Sequence, residues 1–424
     1  MKECSRRNLL YMGGAAALAG LGLPRVNGQE FPPPVASKPI YPYAQRAAVS
    51  LVRGEERRKI VTEALLAVDR EISAALKRKK YVVIKINNVS TNIQLAATHV
   101  DALRGIMDYL APRFKGQVIV AESSMGDGMA AFENFKYAQI VPEYKRNNIQ
   151  LIDLNREAKY EIFPIVDNNV RPVPVRLAAR LLDPDAFIIS SAMLKTHDNV
   201  VATMTVKNMA MGAPLIGVAN GQQRPWSDKG LMHAFGMSMG RGGASRAGAA
   251  EGRGAGPGRA IGGPPMGIPP AGGPPPAIAG AGPQMGRGGR GASTPATRGA
   301  RYHAMNYNLA MVAKKLSATW GCAVIDGFQG MEGNGPIRGT AVATKVALAS
   351  TDLVAADRVA LDVMGIPQHA VGYLQYAASL GIGQYDISKI DIRGERPEAV
   401  MKKFKLQDQV QEQLDWLNDI VRQG

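Results

Sequence analysis

The chain has 424 residues, 46% of them apolar, two cysteines and a formal net charge of +16. Two cysteines exclude a four-cysteine iron–sulfur or zinc centre, so no iron–sulfur cluster is expected in this chain. Residues 1–28 carry +3 and residues 234–300 carry +6, leaving a mild +7 for the rest; that excess suits a small anionic ligand and argues against nucleic acid as a partner.

In chain order, the first element is a leader over residues 1–28. Arg6 and Arg7 precede a Leu, Ala and Gly run from Leu9 to Leu23, too short to span a bilayer. Paired arginines before such a run resemble the twin-arginine export signal. The pattern predicts cleavage near Gly28, passage through the twin-arginine machinery and a periplasmic or extracellular destination. No other segment approaches membrane-spanning length, so no stable span is expected in the mature protein. Residues 29–50 are proline-rich and read as a tether.

Apolar spacing predicts a helix over 55–80. Beyond it, short apolar runs alternate with longer amphipathic ones. Strands are predicted at 81–86, 117–122, 149–154, 186–190, 322–326 and 346–350. Helices are predicted at 99–114, 130–147, 306–318, 353–364 and 371–380. Alternation of this kind implies βαβ units, hence a mainly parallel, Rossmann-like α/β sheet with helices on both faces. Residues 51–234 and 301–395 read as one domain. Between them, 235–300 is so rich in Gly, Pro, Ala and Arg that it reads as a disordered insertion. Residues 396–424 read as a C-terminal helix.

Ligands of such sheets bind beyond the carboxyl ends of the strands. Reading those ends together gathers Asn87 and Asn88, Glu122 with Ser123 and Ser124, Asp153 with Asn155, Lys195 with His197, and Asp326. Glu332 follows in a glycine-rich turn. Asp153 and Asn155 also suit plain turn formation, and Asp352 suits a helix N-cap. His303 and Asn306 are expected at a helix start, where an anion is well placed.

The blocks VVIKIN (82–87), VIVAESS (118–124), KTH (195–197), TVKNMAMG (205–212), VIDGFQGMEGNGP (324–336) and STDLVAADRVALDVMG (350–365) resemble the domain-of-unknown-function family 362 (DUF362). The resemblance implies that Lys195, His197, Lys207, Asn208, Asp326, Glu332 and Asp357 belong to a shared pattern. Many relatives carry ferredoxin-like cysteine runs, which this chain lacks.

The expected site therefore has a cationic wall of Lys195, His197 and Lys207 facing Glu122, Asp326 and Glu332. Asn88, Ser123, Asn208, His303 and Asp357 are expected to contribute ligand contacts. Two function classes fit. One is an enzyme on a small anionic substrate, with Lys195, His197, Lys207, Asp326 and Glu332 catalytic, assisted by a divalent metal if Glu122, His197, Asp326 and Glu332 converge. The other is a non-catalytic periplasmic binding protein for an anionic ligand or metal complex.

Overall fold

The computed structural model describes residues 25–26, 29–30, 41–157, 159–219, 222–234 and 295–423. Most of the leader, residues 31–40 of the tether and 235–294 of the insertion lie outside the described residues.

The strand-forming runs are apolar without alternation, as expected where both faces of a sheet are covered. They assemble into one large sheet. Its strands are β1 (Ala47–Arg53), β2 (Tyr81–Lys85), β3 (Val118–Glu122), β4 (Ile149–Asp153), β7 (Ala186–His197), β8 (Val201–Thr203), β11 (Trp320–Asn334), β12 (Arg338–Ser350) and β13 (Ile390–Gly394). The order is β13-β1-β12-β11-β7-β2-β3-β4, with β8 paired only to β7. Along that path β12 alone runs against its neighbours. Apart from it stand a short antiparallel pair, Arg25–Val26 with Gln29–Glu30, and two longer ones, β5 (Tyr160–Val166) with β6 (Pro172–Ala178), and β9 (Ile216–Ala219) with β10 (Gln222–Ser227).

Alternate residues of each strand enter different cores. Val83, Ile119, Ile188, Ile325 and Leu348 face one cluster, and Val82, Val120, Ile189, Val324 and Ala349 face the other. The first is closed by α5 (Thr205–Gly212), α7 (Pro295–Leu316), α8 (Leu353–Met364) and α9 (Gly372–Ser379). The second is closed by α1 (Arg57–Ala67), α2 (Asp69–Leu76), α3 (Val100–Leu110) and α4 (Gly128–Asn134). The protein is thus a mixed α/β structure built on a large, mostly parallel sheet with helices on both faces.

Several boundaries differ from expectation, each for a local reason. The 55–80 helix is two helices, because Val68 leaves helical geometry (φ −120°). The 130–147 helix stops at Asn134, since Lys136 adopts left-handed backbone (φ 63°). Residues 295–300, assigned to the insertion, are the first turns of α7. Residues 47–50, assigned to the tether, begin β1. The C-terminal helix α10 spans only Val410–Gln423. The segment before it is tied to β11, where Gly333 N donates to Lys405 O (2.6 Å).

Strand β7 runs past its predicted end at residue 190 to His197, with all twelve residues buried. The Lys-Thr-His triplet therefore lies in a strand rather than a loop. It pairs with Val201–Thr203 on β8, and Lys195 is also in register with Met331 of β11. Gly335 touches the carbonyl oxygen of Thr196 so closely that a side-chain carbon there would sit 2.1 Å from it.

Candidate functional site

Four lysines converge where β2, β3 and β7 end. Lys85 closes β2 and is fully buried. Its Nζ lies 2.7 Å from Glu122 Oε1, and it also donates to Ile86 O (2.7 Å) and Asn208 Oδ1 (3.1 Å). Glu122, at the end of β3, additionally accepts from Ser123 N and Asn88 N, each at 2.8 Å. Two carboxylate oxygens thus meet one ammonium and two amides, the satisfaction a buried charge requires. The pair also explains Gly212, the last residue of α5: a Cβ there would lie 2.3 Å from Lys85 Cε. Only glycine leaves room for the lysine to pass.

Lys195, on β7, donates to Asn87 Oδ1, and Asn87 Nδ2 donates to Asn208 Oδ1 (3.1 Å). Asn208 in turn gives its amide protons to Lys85 O, Ser190 Oγ and Ser191 O. One asparagine of α5 therefore ties together the ends of β2 and β7. Lys207 precedes it and is also buried. Lys229 enters from α6 (Asp228–Met232), donating to Ser123 Oγ (2.8 Å) and Met211 O (2.7 Å). That short helix is anchored by a bidentate pair between Arg176 and Asp228 (2.8 and 3.0 Å).

Burial sets the electrostatics. It pushes Lys195 down to about 7, helped by the neighbouring charge of Lys207. It likewise lowers Lys229 to about 7 and Lys207 to about 8. For Lys85 burial outweighs the attraction of Glu122, so its ammonium also loses protons more readily than usual. His197 falls well below 6.5 and His233 falls to about 4, both mainly through burial and then through Lys207. Both imidazoles are therefore neutral near pH 7. His197 Nδ1 accepts from Asn199 N (3.0 Å), which leaves its proton on Nε2. His233 Nδ1 faces Lys229 O at 2.8 Å; a carbonyl only accepts, so this ring carries its proton on Nδ1. Close by, Val201 holds φ 64°, a strained conformation for a β-branched residue. Its N–H is fixed by Gln413 Oε1 (2.7 Å).

The expected site is thus assembled in part. Lys195, His197, Lys207, Asn208, Asn88, Glu122 and Ser123 come together. Asp326 does not join them. It pairs with Arg57 of α1 (3.1 Å), which lies over the Phe328 ring, and no contact links it to the lysines among the described residues. Glu332 accepts from Lys405 N (2.9 Å) and clamps the C-terminal segment. Asp357 is buried on α8 and accepts from Thr205 N, Thr205 Oγ1 and Val206 N, capping α5 from a distance; burial raises it to about 7. It therefore positions Lys207 and Asn208 rather than meeting a ligand. His303 lies inside α7 rather than at its start, stacked against Tyr376 and Trp416 (ring centroids 5.8 Å each). Asn306 in the same helix bonds Tyr302 O and Tyr373 N. Asp153 and Asp352 are turn and helix caps, as their positions suggest.

The proposed metal set of Glu122, His197, Asp326 and Glu332 is not brought together. Among the described residues no group of three or more His, Cys, Asp or Glu side chains is arranged to hold a metal ion. Three residues of the assembled site escaped sequence reasoning: Lys85, Lys229 and His233. Lys85 did carry a signal, a lone charge inside a run that reads as buried on both faces. The other two had none, standing beside a compositionally biased stretch.

The arrangement defines a class: a mixed α/β protein whose large, mostly parallel sheet ends in a buried, lysine-rich cluster. Its family follows from the sequence match. The family model described as "Domain of unknown function (DUF362)" matches residues 82–362, about two thirds of the chain, and the protein belongs to that family. Comparison with curated proteins and with solved structures gave no match.

Proposed function

We propose that the protein is an enzyme that binds a small anionic substrate among Lys195, Lys207 and Lys229 and moves a proton with a neutral lysine or His197. One observation carries this reading: the lysines outnumber the carboxylates free to balance them. Glu122 is committed to Lys85, Asp153 caps its own turn, and Asp198 is half exposed. An anion entering the cluster supplies the missing charge, and lysines lowered toward neutrality are matched to acid–base work. We read the sheet as Rossmann-like, with the ligand at the carboxyl ends of its strands. Because the expected metal ligands do not converge, no step is routed through a metal.

The test is a thermal-shift screen of small carboxylates and phosphate. A ligand at a hundred times its Kd contributes about 2.7 kcal/mol, a rise of several degrees. Lys229→Met and Lys195→Met are expected to lose that rise. Equal shifts in wild type and both variants refute the site. A non-catalytic binding protein uses the same lysines, and the prior satisfaction of Lys195 and Lys229 by protein groups suits a fixed receptor. Turnover of any ligand that binds separates the two readings.

The same proposal has the chain exported by the twin-arginine route, supported by Arg6-Arg7 ahead of the weakly apolar run. Arg6→Lys with Arg7→Lys is expected to retain the protein in the cytoplasm; undiminished export refutes it.

A further inference from the structure

β1 runs with the parallel strands and ends at Arg53, so its end lies on the carboxyl edge of the sheet, where ligands of such folds bind. A cavity of about 240 Å³ opens there, with Arg53, Ala343, Lys345, Val400, Met401 and Lys402 in its lining. β12 and β11 separate β1 from β7. Three strand spacings make about 14 Å, which sets this place apart from the lysine cluster.

Local structure explains how the cations come to surround it. Gly327 pairs with Val346 and Gln329 with Ala343, so Thr344 and Lys345 together oppose one residue of β11. Such a bulge re-aims side chains, and Lys345 indeed sits in left-handed backbone (φ 54°), which lysine seldom adopts. Gly54 N donates to Lys345 O (3.0 Å), holding the end of β1 against the bulge. The facing wall follows the short helix Pro397–Val400. It is tied to the end of α8, where Lys402 N donates to Val363 O (2.9 Å) and Phe404 N to Met364 O (3.0 Å). Lys345 pairs with Glu55. Among the described residues the side chains of Arg53 and Lys402 have no hydrogen bond or ion pair, and no acidic side chain lines the cavity. Three cations against one carboxylate leave a surplus of two positive charges around one small volume.

We propose that this cavity binds the phosphate group of a small phosphomonoester. Such a group carries close to two negative charges on one centre at neutral pH, which matches the surplus. The planar fork of Arg53 suits two oxygens of one phosphate, while Lys402 and Lys345 act as point charges beside it. Ala343, Val400 and Met401 offer an apolar wall to a short organic group. The volume falls below the roughly 300–1,000 Å³ of sites for drug-sized ligands, so the organic part is compact. A soluble ester and a lipid headgroup ending in a phosphate share this chemistry.

The test uses the full chain at low ionic strength, where exposed cations act most strongly. Propyl phosphate is titrated by calorimetry, and sedimentation with vesicles of phosphatidic acid or of phosphatidylcholine forms the lipid arm. The expected result is one saturable site whose Kd for propyl phosphate rises about tenfold in Arg53→Met and in Lys402→Met and is unchanged in Lys229→Met. Both substituted side chains are exposed, so the variants should fold, and their melting temperatures check that they do. Undiminished affinity in both variants overturns the proposal. So does succinate bound as tightly as propyl phosphate, which reveals a response to charge alone. Loss of binding in Lys229→Met only places the ligand in the lysine cluster, which overturns this site and leaves that reading standing. Sedimentation with phosphatidic acid but not phosphatidylcholine, lost in Arg53→Met and without binding of the soluble ester, assigns the site to a lipid headgroup. No binding in either arm overturns the site.

Discussion

Replacing Glu122 with Gln tests whether the cluster is as desolvated as its geometry implies. The substitution preserves shape but removes the carboxylate 2.7 Å from Lys85 Nζ, and it turns an amide group toward Asn88 N–H or Ser123 N–H. Both side chains of the pair are almost wholly buried (1% and 4% exposed), so water cannot replace the lost partner. Lys85 then sheds its proton in the folded state. The cost is about 1.4 kcal/mol for each pH unit between the unfolded value and the working pH. From 10.5 down to pH 7 the ceiling is about 4–5 kcal/mol, in line with roughly 3–5 kcal/mol for breaking a buried pair. At about 2 °C per kcal/mol in a chain of this size, the melting temperature at pH 7 falls by about 6–10 °C. The sign with pH is fixed. In the variant the unfolded chain holds a proton that the folded chain does not, so its stability rises with pH, while a wild-type Lys85 charged in both states adds no slope. The deficit therefore shrinks by about 1.4 kcal/mol per pH unit over the range in which the wild-type pair stays charged. Melting curves across pH 6–9 measure it. A deficit below about 1 kcal/mol, the worth of an exposed pair, or one that does not change with pH, refutes the argument.

Three further outcomes follow from the same structure. Lys195, Lys207 and Lys229 stand at about 7, 8 and 7 when folded against 10.5 when unfolded. Their destabilising effect is complete below about pH 7 and fades as pH climbs toward 10.5, so wild-type stability should rise from about pH 8 to 10; a melting temperature that falls steadily there contradicts the assigned burial. Asp357→Asn retains an acceptor for Thr205 but sets an amide group against Val206 N–H, so unfolding free energy in denaturant should drop by about 1–3 kcal/mol, and anion affinity should weaken because α5 carries Lys207. No change in either quantity removes Asp357 from the support of the site. Glu332→Gln still offers an acceptor to Lys405 N and should cost less than about 1 kcal/mol with anion binding intact; loss of binding on titration would return Glu332 to the site.

Much of the scaffold is written locally in the chain. Runs such as YVVI (81–84) and VIVA (118–121) are apolar at every position, which only a strand covered on both faces requires, and Leu353–Met364 was bounded correctly because Asp352 caps it and Gly365 ends it in left-handed backbone. The strand Ala47–Arg53, paired on both sides, and the Tyr160–Ala178 hairpin were missed, because the first finds its partners far away in sequence and the second has an exposed face of mixed residues. For the site, the sequence supplied the residue types and the rule that they collect at strand ends, and that sufficed for Lys195, His197, Asn208 and Glu122. It had no means of telling that Asp326 is taken up by Arg57, a residue far away in sequence. Nor did it reveal that Glu332 and Asp357 spend their oxygens on backbone amides. Lys229 reaches the cluster from α6 only because Arg176 and Asp228 fix that helix on β6. Residue chemistry is a local property, but which charges share one buried volume is decided by long-range packing, and it is shared burial that makes these lysines give up their protons more readily than separate ones would.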